Sequence, residues 1–419
     1  MSGKIAVLGA GIIGVCCAVE LQRRGYDVTL IDKNAPGEET SYGNAGVIAR
    51  SSIIPFNHPG LWKSLPKLMG NKSTSFRYDP TFVAANMNWT AGFLKRANLK
   101  DFNYTTQALD DLIQLSTRKH EEMASILGIA DKLNRKGWLH LYRQKATFDK
   151  SKLIRNTFDK FNVATKELNS DQISNLEPDL APIFAKGLWI QDTMSFQNPG
   201  DLVKAYAAYF TSHGGILTKA KIQNLEKSGD GYKLTLDKTT HSKNTIIVDQ
   251  VVVALGPWAK TFLKKFGYRV PLVFERGYHM NFSHDKERKL NRPVYDIDGG
   301  YVLAPMSNGV RLTTGVELAQ QNSSPNYSQL AAAEAGARDA FPLNKPMDSE
   351  PWLGSRPTLP DCRPIIGQAP RHNGLWLAIG HQHIGFSTGP GTASILGSLI
   401  SEEASPINAE PFRAERFIT

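Results

Sequence analysis

The sequence is poor in cysteine and has no long apolar run. Three cysteines occur in 419 residues, and Cys16 and Cys17 are adjacent, whereas Cys362 stands alone. Adjacent cysteines do not form an unstrained disulfide with each other, so the chain is neither a disulfide scaffold nor a cysteine zinc site. We expect a reducing compartment and no bound metal. No stretch approaches the roughly 20 apolar residues that span a bilayer.

Internal repeats and low-complexity tracts are also missing. With 41% hydrophobic and 21% charged residues, the composition is that of a globular protein. The length exceeds the usual size of one hydrophobic core, which predicts two domains. The first predicted strand begins within a few residues of Met1, so we expect no signal or transit peptide and a cytoplasmic protein. Peripheral attachment to the inner face of a membrane is left open.

The net charge is +10 and the isoelectric point is about 9.3. Such a balance favours anionic ligands, acidic lipid headgroups or nucleic acid. The basic residues are scattered without a recognition-helix or zinc-finger pattern, which favours a solvated basic surface and no nucleic-acid partner. The following residues illustrate the scatter: Lys63, Lys67, Lys72, Lys95, Arg96 and Lys100.

The N-terminal segment contains a strand, a glycine turn and a helix. The apolar run Ile5–Leu8 leads directly into Gly9-Ala10-Gly11-Ile12-Ile13-Gly14. In this pattern Gly9 permits the tight turn, Gly11 lets a pyrophosphate approach the backbone, and Gly14 lets the helix pack closely on the strand. The segment therefore predicts a dinucleotide site.

The residues that follow strengthen this interpretation. The phosphates are expected at the helix N-terminus, where Ile12 and Ile13 lie. A second apolar run, 28–31, ends in Asp32, at the distance where an acid accepts the ribose hydroxyls. The alternative is a glycine turn in a βαβ unit that binds no nucleotide.

The middle of the chain mixes helical and strand patterns. Apolar spacing predicts a helix over 109–127 and another after the loop 197–201. A short strand at 216–217 is a candidate third parallel strand. The runs 222–225 and 232–236 flank Gly229-Asp230-Gly231 and predict a hairpin, followed by a buried strand over 246–254.

In the remainder of the chain, apolar and polar residues first alternate, and a continuous apolar run follows. Alternation predicts a mostly antiparallel sheet from the runs 270–274, 278–282, 300–304 and 310–314. A strand at 375–380 then enters a glycine-rich turn, and a final helix is predicted over about 390–400.

This order of elements predicts an α/β fold. It combines a flavin-binding, Rossmann-type domain with an interleaved substrate domain on a mostly antiparallel sheet. We assign 1–50, 198–258 and 350–419 to the first domain, and 51–197 and 259–349 to the second.

Five segments together resemble the FAD-dependent D-amino-acid oxidase superfamily, most closely its bacterial D-amino-acid dehydrogenases and their hydroxyproline-metabolising relatives. The likeness covers essentially the whole chain. Its segments are the glycine turn with Asp32, the loop 41–46, the strand end 253–258, Trp352-Leu353-Gly354-Ser355-Arg356-Pro357 and Gly380-His381-Gln382-His383-Ile384-Gly385-Phe386. In Ser355 the chain departs from the larger apolar residue frequent in that superfamily.

The resemblance implies noncovalently bound FAD. Asp32 would bind the ribose, and Lys33 either reaches the adenine region or is an ordinary surface lysine. The loop 41–46 either holds phosphate and flavin edges or is a plain turn. The last helix would direct its positive end at the reduced flavin. The further residues assigned to the cofactor are Ser41, Asn44, Ala45, Gly46, Ala254, Gly256, Gly380, His381, Gly385 and Phe386.

The resemblance places Arg356 on the substrate carboxylate, which a planar guanidinium binds with two hydrogen bonds. A structural arginine between domains is the alternative, and Arg276 is the next candidate. Tyr278 could add a phenolic hydrogen bond, although a tyrosine on a sheet is more often core.

Three histidines are further candidates for the pocket. For His381 a contact with the flavin edge is favoured over general base catalysis. His383 is interpreted as a satisfied polar neighbour. His58 is a loop residue that could lie at the pocket rim.

The implied reaction is hydride transfer from Cα of a small or cyclic D-amino acid to flavin N5, which gives an imine. D-Proline and its hydroxylated forms are favoured, and Phe386 and Tyr278 could pack against a compact ring. The alternatives are a secondary amine such as sarcosine, glycine or an L-proline analogue, and a flavin-binding partner protein without this catalysis. A quinone, an electron-transfer protein or oxygen would accept the electrons.

Overall fold

A computed structural model describes residues 3–237, 244–283 and 287–418. Short strands dominate the first and last parts of these ranges. The strands are β1 (Lys4–Leu8), β2 (Asp27–Asp32), β3 (Val47–Ile48), β4 (Phe76–Tyr78), β5 (Leu133–Asn134), β6 (Trp138–Tyr142), β7 (Thr165–Leu168), β8 (Lys186–Ile190), β9 (Met194–Phe196), β10 (Ile216–Lys219), β11 (Ile222–Ser228), β12 (Gly231–Leu236), β13 (Thr245–Val248), β14 (Gln250–Val253), β15 (Val273–Ser283), β16 (Val294–Asp296), β17 (Tyr301–Met306), β18 (Gly309–Thr314), β19 (Val316–Leu318), β20 (Trp352–Thr358), β21 (Ile365–Gln368) and β22 (Leu375–Ile379).

The helices concentrate between residues 61 and 176. They are α1 (Ile12–Arg23), α2 (Leu61–Met69), α3 (Pro80–Ala85), α4 (Met87–Lys95), α5 (Leu99–Ile126), α6 (Lys145–Lys150), α7 (Lys152–Lys160), α8 (Ser170–Leu176), α9 (Pro199–Ser212), α10 (Ala259–Lys264), α11 (Ser328–Ala340) and α12 (Gly385–Ile400).

A six-stranded sheet forms the first layer of the molecule. Its order is β10-β2-β1-β14-β22-β21, and all neighbours are parallel except β21 and β22. One face packs on α1, α9 and α12, and the other face packs on the antiparallel sheet β11-β12-β13. The sheet thus draws its strands from three separated parts of the chain, as the α/β prediction requires, while the exact domain boundaries stay a prediction.

Helix α12 is buried along almost its whole length because small residues let it approach two other helices. A Cβ on Gly389 would lie 3.3 Å from Cys16 Sγ of α1, and one on Gly391 would lie 2.8 Å from the Leu112 carbonyl of α5. Cys16, Cys17 and Cys362 are all free and buried, in agreement with the sequence.

The second large sheet is mostly antiparallel. Its order is β4-β19-β15-β18-β17-β16-β6-β8-β7, with β20 also paired to β15. Only the β19/β4 and β16/β6 pairs are parallel among its strands. Helix α11 covers one face through Leu330, Ala333 and Ala337, and the other face looks toward the six-stranded sheet.

Five predicted elements have different bounds in the structure. The single strand predicted over 246–254 is two strands, β13 and β14, which belong to different sheets; Asp249 between them accepts the Lys4 N–H at 2.6 Å. The runs 270–274 and 278–282 merge into one strand, β15. Helix α5 begins at 99, ten residues earlier than predicted, since Asn98 caps it. Helix α12 begins at 385, and Pro390 lies inside it.

The hairpin β11–β12 and the parallel strand β10 are as predicted. None of the helices in the described ranges is long and apolar enough to cross a membrane. The same ranges contain no cluster of three metal-ligating side chains.

Candidate active site

A cavity of about 650 Å³ lies between the two large sheets. Its floor is formed where β1, β2, β14 and β22 end, and its roof is the face of β15 and β20 that looks toward them. Ligands of open α/β sheets bind at the carboxyl ends of the strands, so the cavity has the expected position for a cofactor.

The glycine turn after β1 forms the centre of the cavity floor. Gly9 has φ +104°, and a Cβ there would lie 2.5 Å from the Ala254 carbonyl. Gly11 lines the cavity with only Ser41 Oγ close to its would-be Cβ, at 3.3 Å. The turn therefore brings bare backbone to the cavity at the N-terminus of α1.

The N-terminus of helix α1 has backbone N–H groups that are available to a ligand in this cavity. The Ile12 N–H donates to Ser41 Oγ at 3.0 Å, and the first intrahelical bond runs from Val15 N to the Gly11 carbonyl at 3.0 Å. The N–H of Ile13 precedes that bond, and the residue lines the cavity. Such a helix end attracts phosphate oxygens.

The carboxylate of Asp32 is held in a fixed orientation at the end of β2. Its Oδ2 accepts the Ala10 N–H at 2.6 Å and its Oδ1 accepts the Asn34 N–H at 2.9 Å. Each carboxylate oxygen has a second lone pair, and the residue lines the cavity. Asp32 is therefore arranged to accept the hydroxyls of a ribose.

One end of the cavity is a slot suited to a planar base. Lys33 lines it, with Nζ 4.6 Å from the centre of the Trp258 ring and 3.4 Å from Glu39 Oε1. Gly256, with φ +51°, turns the chain beside this tryptophan. The lysine is thus half of an exposed ion pair at the cavity, not an isolated surface residue.

The loop 41–46 is held by hydrogen bonds from an arginine that the sequence did not indicate. Arg311 on β18 donates from Nη1 to the carbonyls of Tyr42 and Asn44, both at 2.7 Å. It is 5% exposed, and its Nε donates to Asn281 Oδ1. Asn44 in turn accepts the Gly46 N–H at 2.8 Å. This loop is a fixed wall of the cavity rather than a plain turn.

An indole closes the same wall. A Cβ on Gly43 or on Gly354 would overlap the ring of Trp352, which lines the cavity. The Trp352 ring stacks on His279 at 4.8 Å and 16°. Both glycines are needed because the indole lies flat across them.

The guanidinium of Arg356 enters the cavity from the roof. It lies across Gly277, whose would-be Cβ is 2.5 Å from Nη2. Its hydrogen bond to protein runs from Nη1 to the Gly315 carbonyl at 3.3 Å, which leaves donors for a ligand. Burial lowers the pKa of Arg356, and the neighbouring Glu275 opposes that shift, so the group stays charged.

Two imidazoles line the cavity near this guanidinium. His381 accepts or donates at Nε2 to Thr392 Oγ1, 3.0 Å away, and burial lowers its pKa to about 3. His383 stacks on Phe56 at 4.4 Å, and burial together with the charge of Arg356 lowers its pKa to about 3. Both rings are neutral at physiological pH.

His383 is not the satisfied polar neighbour that we expected. Its Nδ1 is buried without a hydrogen-bond partner in the described part of the chain, and the ring lines the cavity. His58 does not line the cavity. Its carbonyl accepts the Leu61 N–H at 2.9 Å, at the start of helix α2.

Tyr278 and Arg276 do not lie in the cavity, so the prediction that Tyr278 assists Arg356 is corrected. Alternate residues of a strand point to opposite faces, and both side chains point away from the face that carries Glu275 and Gly277. The Tyr278 hydroxyl donates to Glu317 at 2.6 Å and accepts from Arg276 at 3.1 Å. This network lies under α11, in the core of the second sheet.

Fifteen of the seventeen residues assigned to the cofactor line the cavity, and Gly14 and Gly46 do not. Gly14 packs against the Gly9 carbonyl, and Gly46, at φ +72°, packs against the Phe196 carbonyl. These two glycines shape the walls without facing the cavity. The fifteen are Gly9, Gly11, Ile12, Ile13, Asp32, Lys33, Ser41, Asn44, Ala45, Ala254, Gly256, Gly380, His381, Gly385 and Phe386.

The residues present fit an FAD molecule. Bare backbone and the N-terminus of α1 suit its pyrophosphate, Asp32 suits the ribose, and the slot beside Trp258 suits the adenine. At the other end Gly380, with φ +80°, and the N-terminus of α12 at Gly385 face the cavity, where the flavin ring would lie. Fold and cavity together define a flavin-dependent oxidoreductase.

Comparison with known proteins agrees with this class. The FAD dependent oxidoreductase family model matches residues 4–399, so the chain belongs to that family. It is 30% identical to a D-amino-acid oxidase of Bradyrhizobium diazoefficiens over 99% of both chains. It is 27% identical to a D-amino acid dehydrogenase of Vibrio cholerae over 97% of this chain and 96% of the relative.

Solved structures show the same fold. An L-proline dehydrogenase from P. horikoshii superposes with a TM-score of 0.76 at 18% identity, over 99% of this chain and 98% of the other. A glycine oxidase from Geobacillus kaustophilus superposes with a TM-score of 0.73 at 20% identity, over the whole of both chains. The predicted fold class and the predicted FAD cofactor are therefore confirmed.

Proposed function

We propose that the enzyme oxidises the Cα–N bond of a small or cyclic D-amino acid, with D-proline and its hydroxylated forms favoured. The observation that carries this proposal is the Arg356 guanidinium, which enters the same cavity as the FAD cradle with one hydrogen bond to protein. A buried cation with unused donors suits a carboxylate ligand. The product is an imine, which water hydrolyses or which persists as a cyclic imine.

The chain orients the substrate more than it moves protons. Bound FAD would supply the acceptor for a hydride from Cα. Arg356 fixes the carboxylate, and the bare backbone of Gly277 and Gly354 leaves room for the guanidinium and the indole beside it. Because the pKa values of His381 and His383 are about 3, neither imidazole removes a proton from an ammonium group at neutral pH. The substrate amine must therefore react in its neutral form.

Two observations support the proposed size and configuration of the substrate. The relatives at 27% and 30% identity are named for D-amino acids, and their alignments cover nearly the whole chain. The apolar ring of Phe386 and the neutral ring of His383 line the cavity and would pack against a compact ring. Tyr278 takes no part in this packing.

Oxidation of sarcosine, glycine or an L-proline analogue is the alternative on the same fold. Membership of an oxidoreductase family argues against the third hypothesis, a flavin-binding partner without catalysis. The electrons pass to an acceptor whose identity, whether a quinone, an electron-transfer protein or oxygen, is left open. Cytoplasmic localisation stays a prediction.

Anaerobic mixing of the holoenzyme with single substrates tests the proposal. We expect D-proline and other small D-amino acids to bleach the flavin absorbance faster than their L-isomers. Faster bleaching by an L-isomer or by sarcosine would overturn the stereochemical assignment and leave the flavin enzyme intact. The Arg356→Lys enzyme, loaded with FAD, is the matched control, since it should bleach more slowly with every amino acid.

A further inference from the structure

Helix α2 is amphipathic, yet it has no buried residue. Its lysines, Lys63 and Lys67, lie on one side of the helix with Ser64. The other side is apolar and has two rows: Leu61, Leu65 and Leu68 are half-buried, whereas Trp62, Pro66 and Met69 are exposed. Trp62 is 51% exposed and Met69 is 66% exposed. A helix of this pattern normally buries its whole apolar side in a core, and here only the leucine row is partly covered.

The helix is nevertheless fixed to the body of the protein. The Trp62 Nε1–H donates to the Ala97 carbonyl at 2.8 Å, and the Met69 carbonyl accepts from the Tyr78 hydroxyl at 3.0 Å. The first bond places the N-terminal end of α2 beside the start of α5, where Leu99 is 59% exposed. These two bonds hold the helix on the protein with the row Trp62, Pro66 and Met69 exposed.

Positive charge concentrates in the same part of the chain. Residues 61–100 contain seven lysines and arginines and one aspartate, Asp79, so a tenth of the chain carries six of the ten net charges. The exposed lysines of this segment are Lys63, Lys67, Lys72, Lys95 and Lys100. Within the described ranges, none of these five forms an ion pair.

We infer that α2 is a membrane-docking helix whose exposed apolar row, Trp62, Pro66 and Met69, enters the interface of an anionic lipid bilayer while the five lysines lie at the headgroups. An exposed apolar stripe with tryptophan, beside lysines, is the pattern of interfacial helices. The basic surface attracts acidic lipid. Lysines outnumber arginines in this segment. The lysine ammonium is a flexible point charge, which suits the diffuse negative charge of a lipid surface, whereas nucleic-acid recognition favours the two-point phosphate contacts of arginine.

The position of α2 relates this surface to the cavity. The Leu61 N–H donates to the His58 carbonyl at 2.9 Å, and Phe56, two residues earlier, stacks on His383 at the cavity. The bilayer would therefore lie on the side of the molecule where Phe56 contacts His383, a residue of the cavity lining. This inference goes beyond the proposed function and does not depend on the substrate.

Co-sedimentation of the holoenzyme with vesicles tests the inference. We expect binding to vesicles of phosphatidylcholine with about 30% phosphatidylglycerol, and at least about tenfold weaker binding to phosphatidylcholine alone, because the attraction is partly electrostatic. Raising the salt from about 0.1 M to about 0.5 M should weaken binding, since the Debye length shortens. Equal binding to both kinds of vesicle, or none to the anionic one, would overturn it.

Two double variants separate the apolar and the charged contributions. Trp62→Ser with Met69→Ser, and Lys63→Glu with Lys67→Glu, should each reduce binding to the anionic vesicles at least about tenfold. Matched controls change equally exposed residues elsewhere: Ile247→Ser, which is 64% exposed, and Lys150→Glu with Lys204→Glu. Flavin absorbance and thermal unfolding verify that each variant is folded.

The controls should bind as the unmodified protein does. If both α2 variants bind vesicles like the controls, the docking surface lies elsewhere and the inference fails. It also fails if the lipid-free protein is a dimer that the Trp62→Ser, Met69→Ser variant dissociates, because a second copy then covers the helix. Sedimentation velocity without lipid makes that distinction.

Discussion

Arg356 and Glu275 occupy directly paired positions on the antiparallel strands β20 and β15. Glu275 is 2% exposed, and its Oε2 has no hydrogen-bond partner in the described part of the chain. Burial raises its pKa to about 7, while the charge of Arg356 opposes the rise. The proposed carboxylate-binding cation therefore has a titrating carboxyl group as its neighbour within the protein.

This pairing predicts a pH dependence of carboxylate binding. Below about pH 7 Glu275 is neutral and the charge of Arg356 is available to the ligand; above it, the ionised glutamate repels the ligand carboxylate. A simple carboxylate inhibitor without an amine avoids the titration of the substrate. We expect its dissociation constant to rise by roughly tenfold between pH 6 and pH 8, since charges this close couple by about one pKa unit.

Glu275→Gln is the matched variant, because it keeps the shape of the side chain and removes the titration. Its dissociation constant for the same inhibitor should vary little over that pH range. An unchanged pH dependence in this variant would show that another group is responsible.

Arg356 on β20 and Arg276 on β15 should respond differently to the same substitution. Arg356→Lys should lower kcat/KM for amino acids at least roughly tenfold, since a lost bidentate charged contact in a dry site costs about 1.5–3 kcal/mol. FAD content should stay near normal. Steady-state kinetics and the ratio of flavin to protein absorbance measure the two quantities.

Arg276→Lys is the control for the Arg356 prediction. Arg276 is fully buried and donates to the carbonyls of Gln320 and Ser324 on the far side of the sheet. We expect this variant to unfold at a lower temperature with little change in KM. If Arg276→Lys rather than Arg356→Lys raised KM, the carboxylate site would have to be reassigned.

The cofactor should be released from the denatured chain. The three cysteines are buried and do not line the cavity, and Nε2 of His381 is hydrogen-bonded to Thr392 Oγ1. Precipitation with acid should leave the yellow chromophore in the supernatant. Colour that stays with the precipitated chain would show a covalent link.

The fold was largely predictable because its signals are local. Hydrophobic periodicity and the glycine turn identified β1, α1 and β2, and Gly229-Asp230-Gly231 identified the hairpin. The bounds of α12 were missed because Pro390 normally argues against a helix interior. Tight packing of Gly389 and Gly391 against α1 and α5 outweighs that preference here.

The candidate site was predictable only where a motif carried it. Arg356 and the glycines follow such a motif, whereas Arg311 and Glu275 are single charges inside apolar strand patterns. Their partners, the carbonyl of Tyr42 and the guanidinium of Arg356, are distant in sequence. The face to which Tyr278 points depends on the strand register. A shift of the register by one residue would move its side chain to the opposite face.

Acidification should destabilise the holoenzyme through its buried histidines. Burial lowers the pKa of His120 to about 4 and that of His279 to about 3, and both are 1% exposed. Below about pH 6.5 the unfolded chain binds protons that the native state does not, so stability is lost as the pH falls. Each histidine contributes up to about 1.4 kcal/mol per pH unit.

His279→Phe keeps the stacking on Trp352 and removes one of these titrations. In excess FAD, its unfolding midpoint in urea should fall less between pH 7.5 and pH 5, by roughly one histidine's contribution. A pH dependence equal to that of the unmodified protein would contradict the assignment.

The clamp that Arg311 places on the loop 41–46 should control the affinity for FAD. Arg311→Gln loses the two 2.7 Å bonds to the carbonyls of Tyr42 and Asn44, and glutamine is too short to restore both. Hydrogen bonds from a charged donor are worth about 1.5–3 kcal/mol each, so we expect the FAD dissociation constant to rise at least roughly tenfold. Recovery of flavin fluorescence on dilution of the holoenzyme measures this dissociation constant.

Arg338→Gln, which removes an exposed ion pair with Glu334, is the control and should leave FAD binding unchanged. Equal FAD affinity in the Arg311→Gln variant and the unmodified protein would mean that the loop keeps its shape without the clamp.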